Sequence, residues 1–481
     1  MYQINNKFKR IQDPIYGIIN ISNIAQKIID TLEFQRLKYI RQLGLCHYVF
    51  PSANHTRFEH SIGTYHLADK VLNSIKQNSS ILELNNCMNG IKELKKYYKR
   101  TYKNPNHAKL DDYVCELIKI AALNHDLGHV LLSHNFDDVF IPYIKKKHNY
   151  LNSIYDTHES RSCILLEYII KNNKELCNII HDDEIQFMKN LINPNSNNKG
   201  FIYQIVSNSV NGIDVDKFDY MTRDTYMLGL TFNFDCSVLI NDVTVINNNI
   251  CFPEQMYYEV MSIYTTRYRL HKQIYSHKTV IAIKFMMNEI IILLDPVANI
   301  YHSIKNVKSL CDLTDDYIFS LVKILYNTIN FYPIEGSRNK PTYPTKFHNN
   351  IKKAYNIWQN INKRIIYKHI GNIISKTPLN IVYKNIFDID PSINENDILI
   401  HNIKMGYISG KIDNPMANIY FYKLKMKTKC FKINKRDISK LIPNIYHEYV
   451  CMIYSKDRTN KQLTKKISDV YTKIKNEVQV I

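Results

Sequence analysis

The sequence predicts a mostly α-helical protein with a small mixed α+β lobe at its C-terminal end. Three observations carry that expectation. Glycine and proline are scarce, 12 and 14 in 481 residues, whereas strand-and-turn architectures use both heavily. Apolar residues recur at helical spacing through much of the first two thirds of the chain. Beyond about residue 335 the texture changes, and Ile419 to Ile433 alternates in the manner of strands. A single core usually stops growing at roughly 250–300 residues. The expected division is therefore a body of residues 1–335 and a lobe of residues 336–481, joined at the polar stretch GSRNKPTYP.

Taken in order, residues 1–20 read as an extended lead-in, with turns marked by Asp13-Pro14 and Gly17. Ile24, Ile28, Ile29, Leu32, Leu37, Ile40 and Leu43 suit an amphipathic helix or a pair of them. His60 to Ile75 continues as helix, with Ile62, Leu67, Val71 and Leu72 apolar. Residues 76–112 are rich in Asn, Lys and Tyr, break the pattern, and read as a surface insertion of partly helical character. In Asp111 to Leu127 the residues Val114, Leu117, Ile118, Ala121 and Ala122 share one helical face. NPNSNN (193–198) is a loop, residues 256–293 form one or two long helices, and a Lys-rich tail ends the chain.

The formal net charge of +19 favours anionic partners such as phosphates, nucleotides or nucleic acid, although a general abundance of Lys explains it equally well. Ten cysteines without a CxxC pair argue against a disulfide framework or zinc ribbon and fit an intracellular protein, cytoplasmic or nuclear. The opening MYQINNKFKR has no apolar core of a signal peptide. The longest apolar run, Ile290 to Leu294, falls far short of the about 20 residues that span a bilayer, so no membrane role is expected.

The sharpest local feature is Asn124-His125-Asp126-Leu127-Gly128-His129, followed by His134. An adjacent His-Asp pair offers an imidazole nitrogen and a hard carboxylate to one cation. His129 lies one helical turn beyond His125. Upstream, Arg57-Phe58-Glu59-His60 supplies another His; downstream, Asp214-Val215-Asp216-Lys217-Phe218-Asp219-Tyr220 supplies carboxylates beside a Lys and a Tyr. A second His and a second Asp would complete a four-ligand site with room for water and a phosphate oxygen. His158-Glu159 is a further candidate pair.

These blocks, with DPIYGIINI (13–21), YVFPSANHTRFEHSIG (48–63), HDLGHVLLSHNFD (125–137), NGIDVDKFDYMTRD (211–224) and LHKQIYSHK (270–278), resemble the HD-domain phosphohydrolases. The narrower resemblance is to the catalytic region of the SAM- and HD-domain-containing deoxynucleoside triphosphate triphosphohydrolases, without the SAM domain. It is dense over residues 9–280 and thin thereafter. It implies an HD helical core, and a divalent ion (Fe, Mn, Zn or Mg) held by His60, His125, Asp126 and Asp216. It further implies that His129, His134, Asp137 and His158 line the catalytic cleft, with His134 placed to protonate the leaving 5′ oxygen. Arg57, Lys217, Tyr220, Arg267 and His271 would face phosphates and nucleoside; Gln42 and Asp224 would accept the sugar 3′-OH; Leu43 and Tyr275 would crowd the 2′ carbon. The implied reaction converts a dNTP to deoxynucleoside and inorganic triphosphate.

The resemblance also implies a homo-oligomer, dimer or tetramer, activated by GTP or dGTP. Lys9, Asp30 and Gln35 match the guanine-nucleotide positions, Lys38 stands where the family has Arg, and Lys435 matches a late basic contact. Val238 and Asp242 replace the Arg and Phe of a second activator site, and Ser276 replaces a Gln beside the base. The alternatives are an HD phosphohydrolase for another nucleotide and a nucleic-acid-binding protein that keeps the fold.

Overall fold

The structure, a computed structural model, describes residues 8–232, 235–331, 344–408, 414–433 and 445–480. It is mostly helical with three small sheets, as the sequence predicts. The lead-in is an antiparallel hairpin of β1 (Lys9–Asp13) and β2 (Gly17–Ile21). Asp13 shapes its turn by accepting hydrogen bonds from the amides of Ile15 and Tyr16, at 2.8 and 3.0 Å. Gly17 closes the turn at φ +71°, a conformation that a Cβ would strain.

The body is built around two packed helices, α1 (Arg57–Asn78) and α2 (Asp112–Asn124). Ile62, Tyr65, Ala68, Leu72 and Ile75 of α1 and the apolar face of α2 predicted from its spacing are all buried. A buried polar knot ties them to the hairpin: Glu116 accepts hydrogen bonds from Ser22 Oγ (2.5 Å) and Tyr65 OH (3.0 Å) and pairs with Lys119 (2.8 Å).

Residues 76–112 are partly helical, as expected, but do not lie only on the surface. They form helices at Ile81–Asn89 and Lys95–Tyr102, and Leu84, Met88, Ile91, Leu94, Tyr97 and Tyr98 join the main core. The apolar stripe is hard to read because two of its members are tyrosines, which bury a ring while the hydroxyl finds a polar partner. Tyr97 and Tyr102 both donate to Asp111, at 2.7 and 2.6 Å.

Four more helices complete the frame of the site: α3 (His158–Asn172), α4 (Val215–Met227), α5 (Tyr257–Leu270) and α6 (Lys278–Ala298). The predicted strands near Ile419 exist as β7 (Tyr420–Lys423) and β8 (Met426–Phe431). They extend a sheet begun in the body by β3 (Thr244–Ile246) and β4 (Asn249–Pro253), in the order β3-β4-β7-β8 with β4 and β7 parallel. The other sheet of the lobe, β5 (Lys368–Ser375), β9 (His447–Ser455) and β6 (Ile398–Gly406), is antiparallel throughout. Alternate residues of β9 face two different covers. Val450, Met452 and Tyr454 pack with Ile281 and Ala282 of α6, while Cys451 and Ile453 pack with Ile467, Val470 and Ile474 of the helix Lys461–Val480. The Lys-rich tail is thus a packed amphipathic helix. Most of the expected linker GSRNKPTYP lies outside the described residues. All ten cysteines are free. Among the described residues no helix is long and apolar enough to cross a membrane.

Candidate active site

Two imidazoles and two carboxylates meet from three different helices. His60 comes from the first turn of α1, His125 and Asp126 from the turn ending α2, and Asp216 from the first turn of α4. His60 Nε2 lies 3.3 Å from His125 Nε2 and 3.3 Å from Asp216 Oδ1, and His125 Nε2 lies 3.5 Å from the same oxygen. Asp126 reaches the same nitrogens with one oxygen each, Oδ1 at 3.4 Å from His125 and Oδ2 at 3.5 Å from His60. The separations among His60, His125 and Asp216 fit one ion bonded to each at roughly 2.0–2.2 Å, with Asp126 standing beside the two imidazoles.

The back of the cluster fixes which nitrogens face the centre. His60 Nδ1 donates to Asp219 Oδ2 (2.8 Å) and His125 Nδ1 to the carbonyl of Ala122 (2.8 Å), so both Nε2 lone pairs turn inward. Burial alone would lower the pKa of His60, yet the hydrogen bonds it donates to Asp216 and Asp219 raise it to about 10. His125 is likewise raised despite burial, by Asp126 and Asp216. The carboxylates therefore favour positive charge at the centre of the cluster, and His60, His125 and Asp216 stand close enough together to hold a metal ion.

Behind His60 runs a chain of buried ion pairs. Asp219 is held by Arg223 Nε at 2.9 Å, and Arg223 Nη1 in turn by Asp13 of the hairpin at 2.9 Å. Gly63 leaves the space that this carboxylate occupies, since a Cβ there would overlap Asp219 Oδ1. Asp219→Asn removes the charge that orients His60 while Arg223 keeps Asp13. Titration of the purified protein with Mn²⁺ is expected to show affinity reduced by about 10–100-fold.

The cluster opens into a cavity of about 510 Å³. His125, Asp126, Asp216, Gln42, Leu43, Arg57, His134, His158, Lys217, Tyr220, Asp224, Arg267, His271 and Tyr275 all line it. Arg57 is buried, pairs with Asp126, and keeps one guanidinium nitrogen, Nη2, without a partner. Gln42 Oε1 is also buried and unpartnered. Asp224 accepts from His55 Nε2 at 2.8 Å and from the Tyr275 hydroxyl. His271 to Tyr275 form a π-helical turn between α5 and α6, a widened backbone often found at functional sites.

Two residues expected on the cleft surface sit behind it. His129 is fully buried, stacks on His158 with ring centroids 3.9 Å apart, and stands 3.5 Å from Asp126 Oδ1. Asp137 accepts a hydrogen bond from His158 Nδ1 at 3.0 Å and pairs with Arg161 at 2.6 Å, so it aims a cavity residue without touching the cavity. The sequence reading passes over Lys284, Phe285, His401 and Ile403, which line the cavity from α6 and β6, and His55 behind Asp224. No local motif marks them, because the wall forms only when the lobe sheet docks on α6.

The expected activator residues form two exposed pairs. Lys9 meets Asp30 at 2.9 Å, and Lys38 donates to Gln35 Oε1 at 2.7 Å. The charge of Lys38 also reaches Asp30. Lys435 lies outside the described residues. Val238 is exposed on a short helix, and Asp242 caps that helix.

A helical body that gathers an adjacent His-Asp pair with a second His and a second Asp at one shared cavity defines an HD-domain hydrolase. No family model matches the chain. It is 39% identical over 452 residues to an HD domain-containing protein of Acanthamoeba polyphaga mimivirus, covering 92% of this chain and 91% of that one. It is 31% identical over 464 residues to the deoxynucleoside triphosphate triphosphohydrolase SAMHD1 homolog of Dictyostelium discoideum, covering 95% and 79%. With the SAMHD1 of Homo sapiens it shares 28% over 502 residues, covering 95% and 71%. The chain belongs to this HD-domain family of SAMHD1-like hydrolases.

Proposed function

We propose that this chain hydrolyses deoxynucleoside triphosphates to deoxynucleoside and inorganic triphosphate, with a divalent ion held by His60, His125, Asp126 and Asp216. The observation that carries this reading is the sharing of one cavity by three sets of groups. They are the His/Asp cluster, a cationic wall of Arg57, Lys217 and Arg267, and an end lined by Gln42, Leu43, Asp224 and Tyr275. The relatives named for deoxynucleoside triphosphate hydrolysis support the same substrate.

When bound, the ion supplies Lewis acidity and an activated water. The protein's own groups do the rest. The free Nη2 of Arg57 offers a charge-assisted hydrogen bond to a phosphate oxygen, and Lys217 adds a point charge to the same cavity. Leu43 and Tyr275 crowd the sugar edge where a ribose would carry its 2′-OH. His134 is exposed to the cavity, and desolvation there first, then the charges of His158 and Arg57, hold its pKa below the usual imidazole range. A seated polyphosphate opposes both charges and lifts that pKa, so His134 gains a proton for the leaving 5′ oxygen only with substrate in place. The same reading includes a guanine nucleotide at Lys9, Asp30, Gln35 and Lys38, and assembly into a dimer or tetramer.

The test is a product assay. Each dNTP is incubated with the full chain and Mn²⁺ or Mg²⁺, with and without GTP, and the products are resolved by chromatography. Deoxynucleoside and triphosphate are expected, and excess EDTA abolishes them. Release of orthophosphate or pyrophosphate instead, or no turnover under every condition, overturns the reading.

A further inference from the structure

The wall made by α6 and β6 contains a donor and an acceptor that the mechanism above does not use. Lys284 projects from α6 into the cavity and donates to the carbonyl of Tyr275 at 3.2 Å. An ammonium has three donors, so this bond leaves it two more. His401 comes from β6, and its Nε2 is buried without a hydrogen-bond partner. Burial first, and then the nearby charge of Lys284, push His401 down to about 4, so the ring is neutral at pH 7. In the tautomer that carries its proton on Nδ1, Nε2 presents a lone pair. Around the two lie Ile281 and Phe285 of α6 and Ile403 of β6, with the Phe285 and His401 rings 5.2 Å apart at 67°.

This wall suits a flat heterocycle better than a phosphate. Three apolar side chains flank two polar groups, whereas Arg57, Lys217 and Arg267 already serve the anionic part of a substrate. A donor and a buried acceptor on one cavity wall read one kind of ring edge. Guanine (O6, N1–H) and thymine or uracil (O4, N3–H) present a carbonyl next to a ring N–H. Adenine and cytosine present the reverse, an amino group next to a bare ring nitrogen, which sets donor against donor at Lys284.

We propose that Lys284 and His401 form a base-reading pair, completed by the C-terminal lobe, that selects nucleotides with a lactam edge, dGTP and dTTP or dUTP, over dATP and dCTP. The proposal rests on the reading that the cavity holds a deoxynucleotide. Mispairing buried polar groups costs enough to give at least about tenfold discrimination.

The experiment has two readouts on the full chain at a fixed GTP concentration. One is kcat/KM for dGTP, dTTP, dATP and dCTP. The other is calorimetric binding of their non-hydrolysable α,β-imido analogues. The wild type is expected to prefer the two lactam bases in both, and Lys284→Met and His401→Leu are each expected to shrink the preference to within about threefold. A wild type without preference overturns the proposal. So does a Lys284→Met variant that weakens all four nucleotides equally, which would make the lysine a phosphate contact. Analogues bound in the expected order without hydrolysis would uphold the pair and sink the proposed reaction. Hydrolysis without the order does the opposite, and absence of all binding rejects both.

Discussion

His125→Ala is expected to leave the chain folded and strip it of bound metal and of hydrolysis together. The ring is near the surface of the cluster, and its removal strands no buried charge, because Asp126 keeps Arg57 and Asp216 keeps His60. A bound ion supplies several kcal/mol of charge stabilisation in a phosphoryl transition state, and each 1.36 kcal/mol is tenfold in rate, so the loss is about 10³-fold or more. Metal analysis of the purified variant and the product assay measure the two effects on one sample. Normal metal content with normal turnover would remove the cluster from the mechanism. Asp126→Ala makes an instructive contrast. It leaves the almost fully buried Arg57 without its carboxylate, and breaking a buried pair in this way costs about 3–5 kcal/mol. That variant is expected to lose stability as well as activity.

Gly128→Ala is expected to destabilise the fold by about 3 kcal/mol or more, at the upper end of what overpacking costs. At Gly128 the backbone of the His-Asp turn lies directly against the first turn of α3. A Cβ there would overlap the His158 carbonyl oxygen and the Ser162 amide nitrogen, and would stand 2.7 Å from the Cβ of Arg161. None of these atoms is the end of a flexible side chain. The same residue is clamped by hydrogen bonds, its amide to Ser162 Oγ at 2.7 Å and its carbonyl from Arg161 Nε at 2.8 Å. Any adjustment moves His158 and the Asp137 that orients it, so turnover falls with stability. Gly90→Ala is the control. Its nearest atom would be the Cys87 carbonyl oxygen at 3.4 Å, an ordinary contact, and it should be close to neutral. Urea denaturation midpoints of the two variants check the difference, and equal midpoints would dismiss the close approach at Gly128.

The His/Asp cluster is legible in the sequence because its chemistry is local. His125 and Asp126 are adjacent, and His60 and Asp216 each sit in the first turn of a helix inside a polar block that packing does not explain. The helices α2 and α6 are legible for a related reason, since apolar residues recur along each at a helical period. The sheet of β5, β6 and β9 is not. It is covered on both sides, so β9 runs Val450-Cys451-Met452-Ile453-Tyr454 with no polar alternation to announce a strand. The residues missed at the cavity follow from that. Lys284 and His401 are one Lys and one His among many until β6 docks on α6. Asp137 and His129 show the converse failure: their position in a chemistry-rich block suggests contact with substrate, and the structure uses them as supports.

The parallel pairing of Cys251 with Tyr420 carries a consequence for the birth of the protein. At about 5–20 residues per second, a ribosome needs on the order of ten to thirty seconds to deliver β7 after β4 has emerged. Throughout that interval β4 has an open edge and α6 has a bare apolar flank, the kind of surface that recruits chaperones or other nascent chains. A late frameshift or premature stop in the gene would make that interval permanent. Such a product is destined for aggregation or proteolysis even though every residue of its His/Asp cluster has been synthesised.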